Sequence, residues 1–594
     1  MKQSNAWVEF LLWRSRHISS RNFIYVLSVI VGIVSGFAAA SLKWSVHKIQ
    51  PWLFSLNEYF KFDYLFLVYP LIGLLLTSAF VVFINRKKLG HGLTNIIYVI
   101  TRKAGVMERD KIYSHMFTSF FTVSLGGSVG LEAPIVTTGS AIGSNIGRLF
   151  HLDYKQRLLL LGCGAAGGIS GIFGAPITGV VLVFEVLMLE MGVSAFVPIL
   201  ISSVTSMIVA KILNTAELIL PYTHSYEFVV QEVPYYVLLG IVTGLVSLLY
   251  TRIFFRFDDL FCRLPNRTSR IFAGGLLLGI LIFIFPPLYG EGYEVIRKLL
   301  LDRPDLVLQS AQVFAPIMHY SGMLFIFLLA VILFKMIASS VTISAGGNGG
   351  IFAPALFIGA FTGFLFAHAI NSTGLGFPLV ESAFALVAMA GIMSGTMHAP
   401  LTGIFFIAEA TSGYSLMLPL MIVSSISYIT NLIFEPYSVY TKKLAEKGEL
   451  ITGDKDKVVL NLLKLKRVVE KDLKTIHPDA TLGELVELIK KSKRNIFPVV
   501  DKEGKLQGVI LLDDIRQIMF RPDMYEKATV AELMHAPPGY VGFHDPMDKV
   551  MQKFQETGAW NLPVLDGDKY IGFVSKSKIF SIYRKMLIHH TREE

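Results

Sequence analysis

The sequence predicts an all-α polytopic membrane domain of two related halves, followed by a smaller α/β domain that is itself a tandem pair. Three observations carry this. The 594-residue chain is 53% hydrophobic and only 16% charged, with a mean hydropathy of +0.56, whereas a soluble globular chain is about a quarter charged. Apolar stretches run from about Phe23 to Phe434 and give way to mixed, charged sequence from Lys442 onward. Two pairs of segments in the apolar part, and one pair in the charged part, repeat internally.

In chain order, residues 1–22 form a cytoplasmic N-terminal segment. Lys2, Arg14, Arg16 and Arg21 precede the first span, Phe23–Val46, and place the N-terminus on the cytoplasmic side. The second span, Tyr64–Ile84, ends at Arg86-Lys87-Lys88 and returns the chain to that side. Arg252, Arg256, Arg263, Arg267 and Arg270 mark a further cytoplasmic loop. The net charge of +10 therefore reports loops of this kind rather than nucleic acid. Shorter stretches at 112–126, 132–150, 157–190, 351–370 and 381–413 are broken by Gly and Pro. Such segments mark helices that stop at mid-membrane, where loose backbone is tolerated only against protein or a hydrated path. The 50 glycines thus favour a transporter or channel over a simple anchor. Cys163 and Cys262 are the only cysteines and make no disulfide framework.

Residues 126–134 read GGSVGLEAP and residues 346–354 read GGNGGIFAP, 220 positions apart. Gly139 and Gly143 keep that offset to Gly359 and Gly363. GIFGAPITGVVLVFE (171–185) matches GTMHAPLTGIFFIAE (395–409), 224 positions apart. The membrane domain, about 23–440, therefore divides into halves of about 23–220 and 221–440. Each GGxxG[LI]xAP sets glycines before a helix start, with Pro in the first turn, where its missing N–H is not needed. Helix N-termini with free N–H groups bind anions. Two of them make an anion site without a fixed cation, near the midplane between the halves. The halves differ at Glu132 against Phe352. A carboxylate in a membrane segment is functional by default. Aimed at an anion site, it can occupy that site and withdraw once protonated, which makes Glu132 the candidate gate and proton carrier.

These residues resemble the CLC family of chloride channels and proton/chloride antiporters, over roughly residues 20–440. GLEAP (130–134) is similar to the family's G-[KR]-E-G-P segment, with Glu132 at the gating glutamate; GGIFAP (349–354) is similar to its G-x-F-x-P segment. The resemblance implies backbone contacts to the ion from Gly130, Leu131, Ile351 and Phe352. It implies a hydroxyl contact from Tyr440 in SVYTKKL, with Tyr437 the weaker match. GEGY (290–293) fits a family linker. An inverted-repeat fold and a homodimer with one pathway per subunit are implied as well. There are two departures. The family's G-S-G-x-P loop stands here as GHGLT (90–94), so His91 takes the place of the ion-binding serine and leaves the selectivity for chloride open. His91 can hydrogen-bond an anion, and holds it more tightly when charged. LVFEV (182–186) puts Glu185 one place early, with Val186 where antiporters often carry an internal proton glutamate. Glu185 and Glu409 are kept in both halves, which points to a shared structural role.

A linker, 441–464, leads to the second domain, 465–594. NIFPVVDKEGKLQGVILLDDI (495–515) parallels WNLPVLDGDKYIGFVSKSKI (560–579), and the copies cover about 465–525 and 526–590. Each copy reads helix, strand, tight turn, strand, helix, and TLGELVELIKKSK (481–493) has a helical period. This resembles a tandem CBS pair. The resemblance implies an adenine-nucleotide site, but its residues are split: Asp514 is present with Leu511 where Ser or Thr belongs, and Ser575 with Lys578 where Asp belongs. A dimerising and gating module without ligand is the other reading.

No H-E-x-x-H zinc helix and no P-loop occurs, so a metalloprotease and an ATP-driven pump are not expected, nor is any enzyme. No metal site and no required cofactor are expected. The expected function is passage of chloride or a similar anion, channel-like because of Val186, across a prokaryotic plasma (inner) membrane with the CBS pair cytoplasmic. A proton-coupled antiporter is the alternative, and an unrelated secondary carrier with CBS regulation is the second.

Overall fold

The computed structural model describes residues 9, 10, 13, 14, 16–60, 64–86, 90, 92–188, 192–215, 220, 228–301, 323–374, 378–447, 449 and 465–582. The chain forms two compact units, 1–450 and 451–594.

The first unit is all helical among the described residues. Its first half comprises α1 (Ser20–Phe60), α2 (Leu65–Ala79), α3 (Gly92–Arg102), α4 (Lys111–Ser124), α5 (Glu132–Leu149), α6 (Tyr154–Phe173), α7 (Pro176–Glu185) and α8 (Phe196–Ile212). The second comprises α9 (Val233–Cys262), α10 (Arg267–Ile284), α11 (Tyr293–Leu300), α12 (Met323–Ser344), α13 (Phe352–Thr373), α14 (Glu381–Met397), α15 (Pro400–Ala410) and α16 (Met417–Phe434). A short helix, α17 (Lys442–Glu446), follows. The halves use the same packing scheme. α1 packs on α6 and α8, as α9 does on α14 and α16; α5 packs on α6 as α13 does on α14.

Among the described residues eight helices are long and apolar enough to cross a membrane. Outer helices carry their apolar side chains outward: Val26, Ile30, Ile33 and Phe37 on α1 and Leu238, Ile241 and Leu245 on α9 are exposed. Inner helices are different. From Ser382 to Met397 every residue of α14 is buried, and α5, α6 and α13 are nearly so. Small residues permit this. A side chain at Gly139 would collide with the backbone of Gly164 on α6, and one at Gly164 with that of Gly139. Their repeat mates on α13, Gly359 and Gly363, meet the α14 backbone at Met389 and Phe384. Between helices in lipid, close backbone approach replaces the hydrophobic effect as the source of contact.

The first helix outruns the expected span Phe23–Val46, because it continues through Lys48 and Pro51 to Phe60. The apolar run marks the part in an apolar environment, not the whole helix. The second span closes in a π-helical turn over Phe80–Asn85. The stretch 157–190 is broken as Gly and Pro foretold. Gly174 ends α6 at φ +70° and Pro176 opens α7, while in the second half His398 closes α14 at φ +54° and Pro400 opens α15. With 10 and 11 residues, α7 and α15 are about 15 Å long and cannot cross about 30 Å of hydrocarbon.

The second unit begins with α18 (Leu465–Val468). Its first copy holds α19 (Leu482–Lys490), β1 (Ile496–Val500), β2 (Leu506–Leu511) and α20 (Leu512–Ile515), and α21 (Val530–Leu533) follows. Its second copy holds β3 (Val541–Gly542), α22 (Met547–Thr557), β4 (Asn561–Asp566), β5 (Lys569–Ser575) and a helix from 576 to 582. β1 and β2 pair antiparallel, as do β4 and β5; β3 lies parallel to β4. Both hairpins pair a glycine opposite a valine, Gly508 with Val499 and Gly572 with Val564, and both are bulged at the next residue. Thr481 and Glu484 form the capping box that starts α19. The copies trade leading segments: Leu465 and Val468 pack in the core with Val541 and Phe554, whereas Ala528 and Val530 pack with Leu482 and Phe497.

Candidate functional site

The N-termini of α5 and α13 meet in the interior of the first unit. Gly130 N–H donates to Gly350 O at 2.9 Å and Gly350 N–H to Gly130 O at 2.8 Å, an antiparallel bridge between equivalent points of the two halves. Glu132 and Phe352 each open their helix. The Glu132 carboxylate turns across the bridge, and its Oε1 accepts the Phe352 N–H at 2.8 Å. Its Oε2 is buried with no hydrogen-bond partner among the described residues. Side chains at Gly130 or Gly350 would collide with this carboxylate, so both glycines make its room. An anionic group is thus seated on the first N–H of a helix of 22 residues, the position at which a helix terminus favours negative charge.

Aromatic rings close the site. Phe352 stacks on Phe173 with centroids 5.3 Å apart and meets Phe406 edge-on at 5.0 Å. Tyr440 is buried just ahead of α17, and its hydroxyl has no partner among the described residues; the same holds for the hydroxyl of Tyr293. Both, and Tyr250, lie near enough to Glu132 to feel its charge. Tyr437 is exposed.

The remaining candidates divide. The Leu131 N–H goes to Glu291 Oε1 at 3.1 Å, so here both the Gly130 and the Leu131 N–H are spent within the protein. Ile351 is the buried residue before α13. His91 lies outside the described residues. Val186 is buried at the end of α7. Beside it, Glu185 accepts from the Leu401 and Thr402 N–H groups and the Thr402 hydroxyl, at 3.0, 2.7 and 2.7 Å. Glu409 accepts from the Ile177 and Thr178 N–H groups and the Thr178 hydroxyl, at 2.8, 2.8 and 2.6 Å. Each acid, at or near the C-terminus of one short helix, caps the N-terminus of the other. The two helices therefore pack antiparallel about a dyad, and the shared role of the two glutamates is structural.

Sequence reading missed Glu291 and Lys335. Lys335 is fully buried in α12; its Nζ donates to Gly290 O at 3.0 Å and Leu288 O at 3.4 Å, and lies 4.8 Å from the Phe357 ring centroid. One lysine inside the apolar run 323–344 was the available signal.

In the second unit Asp514 and Ser575 are already engaged. Asp514 Oδ2 accepts the Leu511 N–H at 3.2 Å and lies 3.3 Å from His535 Nδ1. The Ser575 hydroxyl donates to Glu470 Oε1 at 2.6 Å and accepts from the Lys578 N–H at 3.2 Å. Arg494 bridges Glu470 and Asp472, and holds the Asp472 carboxyl below the usual carboxylate range. A ribose bound at either residue would have to displace these bonds.

Two antiparallel repeats with broken helices, whose N-termini converge on one buried carboxylate, define a multi-pass membrane protein of the channel and secondary-transporter class. The membrane unit matches the voltage gated chloride channel model over residues 73–432, and the chain belongs to that family, the CLC proteins, with two CBS domains at 465–521 and 530–585. This removes the unrelated secondary carrier from consideration. An H+/Cl− exchange transporter, ClcA of Vibrio vulnificus, is 25% identical over 424 residues, 69% of this chain and 86% of that one. A voltage-gated ClC-type chloride channel, ClcB of Escherichia coli, is 25% identical over 437 residues, 71% of this chain and 98% of that one. The crystal structure of a eukaryotic CLC transporter superposes with a TM-score of 0.61 at 18% identity, covering 94% of this chain and 99% of that one. It bears on the fold alone.

Proposed function

We propose that the protein passes chloride or a similar small anion through a pathway gated by Glu132. One observation carries the reading: the Glu132 carboxylate sits on the Phe352 N–H, at the junction of two helix N-termini. While ionised, it holds the position an anion would take. Protonation removes its charge and its claim on the N–H; the side chain withdraws, and the ion takes its place among Ile351, Phe352, the loop at His91 and the Tyr440 hydroxyl. A site built from backbone dipoles rather than a fixed cation lets the ion leave again. Gly130 and Leu131 join the ion's contacts when their present partners release them.

Val186, an apolar residue where family antiporters often carry the internal acid, favours passive, channel-like flow. Proton-coupled exchange is the alternative, supported by the likeness to an exchange transporter. The protein works as a homodimer with one pathway per subunit, in a prokaryotic inner membrane with its N-terminus and CBS pair cytoplasmic. The CBS pair regulates without a nucleotide, since Asp514 and Ser575 are bonded within it.

The test uses purified protein in chloride-loaded liposomes, with the potential clamped by valinomycin and with chloride efflux and external pH followed together. Chloride efflux without counterflow of protons is expected, rising as the pH falls. Glu132→Gln, which mimics the protonated acid, is expected to pass chloride at a rate independent of pH. A Glu132→Gln protein that keeps the parent's pH response removes Glu132 as the gate. Opposed proton flux would make the protein an exchanger.

A further inference from the structure

A Gly-x-Gly triplet stands at the start of the third helix of each half. Gly90-His91-Gly92 leads into α3 and Gly290-Glu291-Gly292 into α11, 200 positions apart. All four glycines are left-handed, with φ of +77°, +25°, +60° and +89°, a conformation that strains other residues. In the sequence, Glu291 therefore holds the place before the third helix of its half that His91 holds in the first.

Its surroundings are built. Glu291 Oε1 accepts the N–H of Leu131, the residue directly before Glu132. The loop is held by the Lys335 bonds to Leu288 and Gly290 and by the Tyr289 hydroxyl, which donates to Ser124 O at 2.6 Å. Among the described residues, the charged and titratable groups within electrostatic reach of Glu291 are Glu132 on α5, Lys43 on α1, Lys335 on α12 and Tyr293 on α11. Glu132 is 1% exposed, whereas Glu291 is only partly buried. A proton bound for Glu132 needs a less buried acid beside it, and Glu291 is one.

We propose that Glu291 forms a coupled carboxyl pair with Glu132 and exchanges protons between water and the gate. The proton leaves the Glu291 carboxyl and joins the Glu132 carboxylate. Glu291 is left ionised and takes a new proton from water. The charge on Glu291 also disfavours charge on Glu132, and so sets the pH at which the gate releases. The inference rests on Glu132 as the gate and makes Glu291 a positioning and relay residue.

Infrared titration of the carboxyl C=O stretch, on purified full-length protein, reads both acids whether or not chloride moves. Against a Glu132→Gln/Glu291→Gln reference, which cancels the other carboxyls of the 44 Asp and Glu residues, the parent is expected to titrate in two coupled steps. Glu291→Gln keeps an acceptor for the Leu131 N–H but removes the charge; it should leave one step, moved about one pH unit toward acid from the parent's upper step. Glu291→Asp should keep two steps. A Glu291→Gln titration equal to the parent's overturns the inference. In liposomes the midpoint of the efflux–pH curve should move toward acid by the same amount, and an unmoved midpoint also overturns it. A parent that passes no anion defeats the proposed function alone, and the infrared titration still decides the pair.

Discussion

At the scale of single residues, the seat of the Glu132 carboxylate depends on what is missing as much as on the acid. Gly130 and Gly350 leave the space that the Glu132 carboxylate fills. Gly350→Ala is expected to destabilise the protein by about 1–3 kcal/mol, as overpacking does, and to push the carboxylate off the Phe352 N–H. In a Glu132→Ala background the same change should cost about 1 kcal/mol less, because its main obstacle is gone. Denaturation of the four proteins in detergent measures that coupling; equal costs in both backgrounds would mean that the glycine does not serve the carboxylate. Glu132 and Phe352 were legible because a repeat makes an odd residue visible. Glu291 was not, because its meaning lies in a contact with Leu131, 160 positions away, which no local pattern encodes. GEGY read as a linker until its glycines proved to share the left-handed geometry of the first half.

At the scale of elements, α7 and α15 stop inside the membrane unit, and their first N–H groups need acceptors. Glu185 and Glu409 supply them. Removing either by Glu→Ala strands two backbone donors and one hydroxyl. We expect a loss of about 2–4 kcal/mol for each, larger than for a solvated cap because the freed groups are part-buried. The double variant should lose less than the sum, since both acids serve one contact. Thermal melts that match the parent for both single variants would deny the caps a structural part. The sequence showed that these acids recur, and Gly and Pro showed where the helices break. The pairing of each acid with the opposite helix needed the fold, because the antiparallel arrangement is a property of two segments together.

At the scale of the molecule, the composition step after Phe434 corresponds to a real division into units with separate cores. A fragment of residues 451–594 is expected to fold alone and melt cooperatively, and millimolar adenine nucleotide should leave its melting temperature unchanged. A rise with nucleotide would show that the bonds at Asp514 and Ser575 yield to a ligand. The hairpins and α19 were readable from alternation and turn residues. The exchange of leading segments was not: Leu465 and Val468 sit beside the first copy in sequence and beside the second in space. The crossed caps in the membrane unit carry a consequence about origin. Each half offers the other the acid it receives, so the contact is isologous, the kind two identical chains make with each other. Two separate copies of an ancestral half could have formed it before a gene duplication joined them. Once joined, each half is free to change alone, and one has Glu132 where the other has Phe352. The asymmetry on which the proposed gate rests is what fusion permits and a symmetric pair forbids.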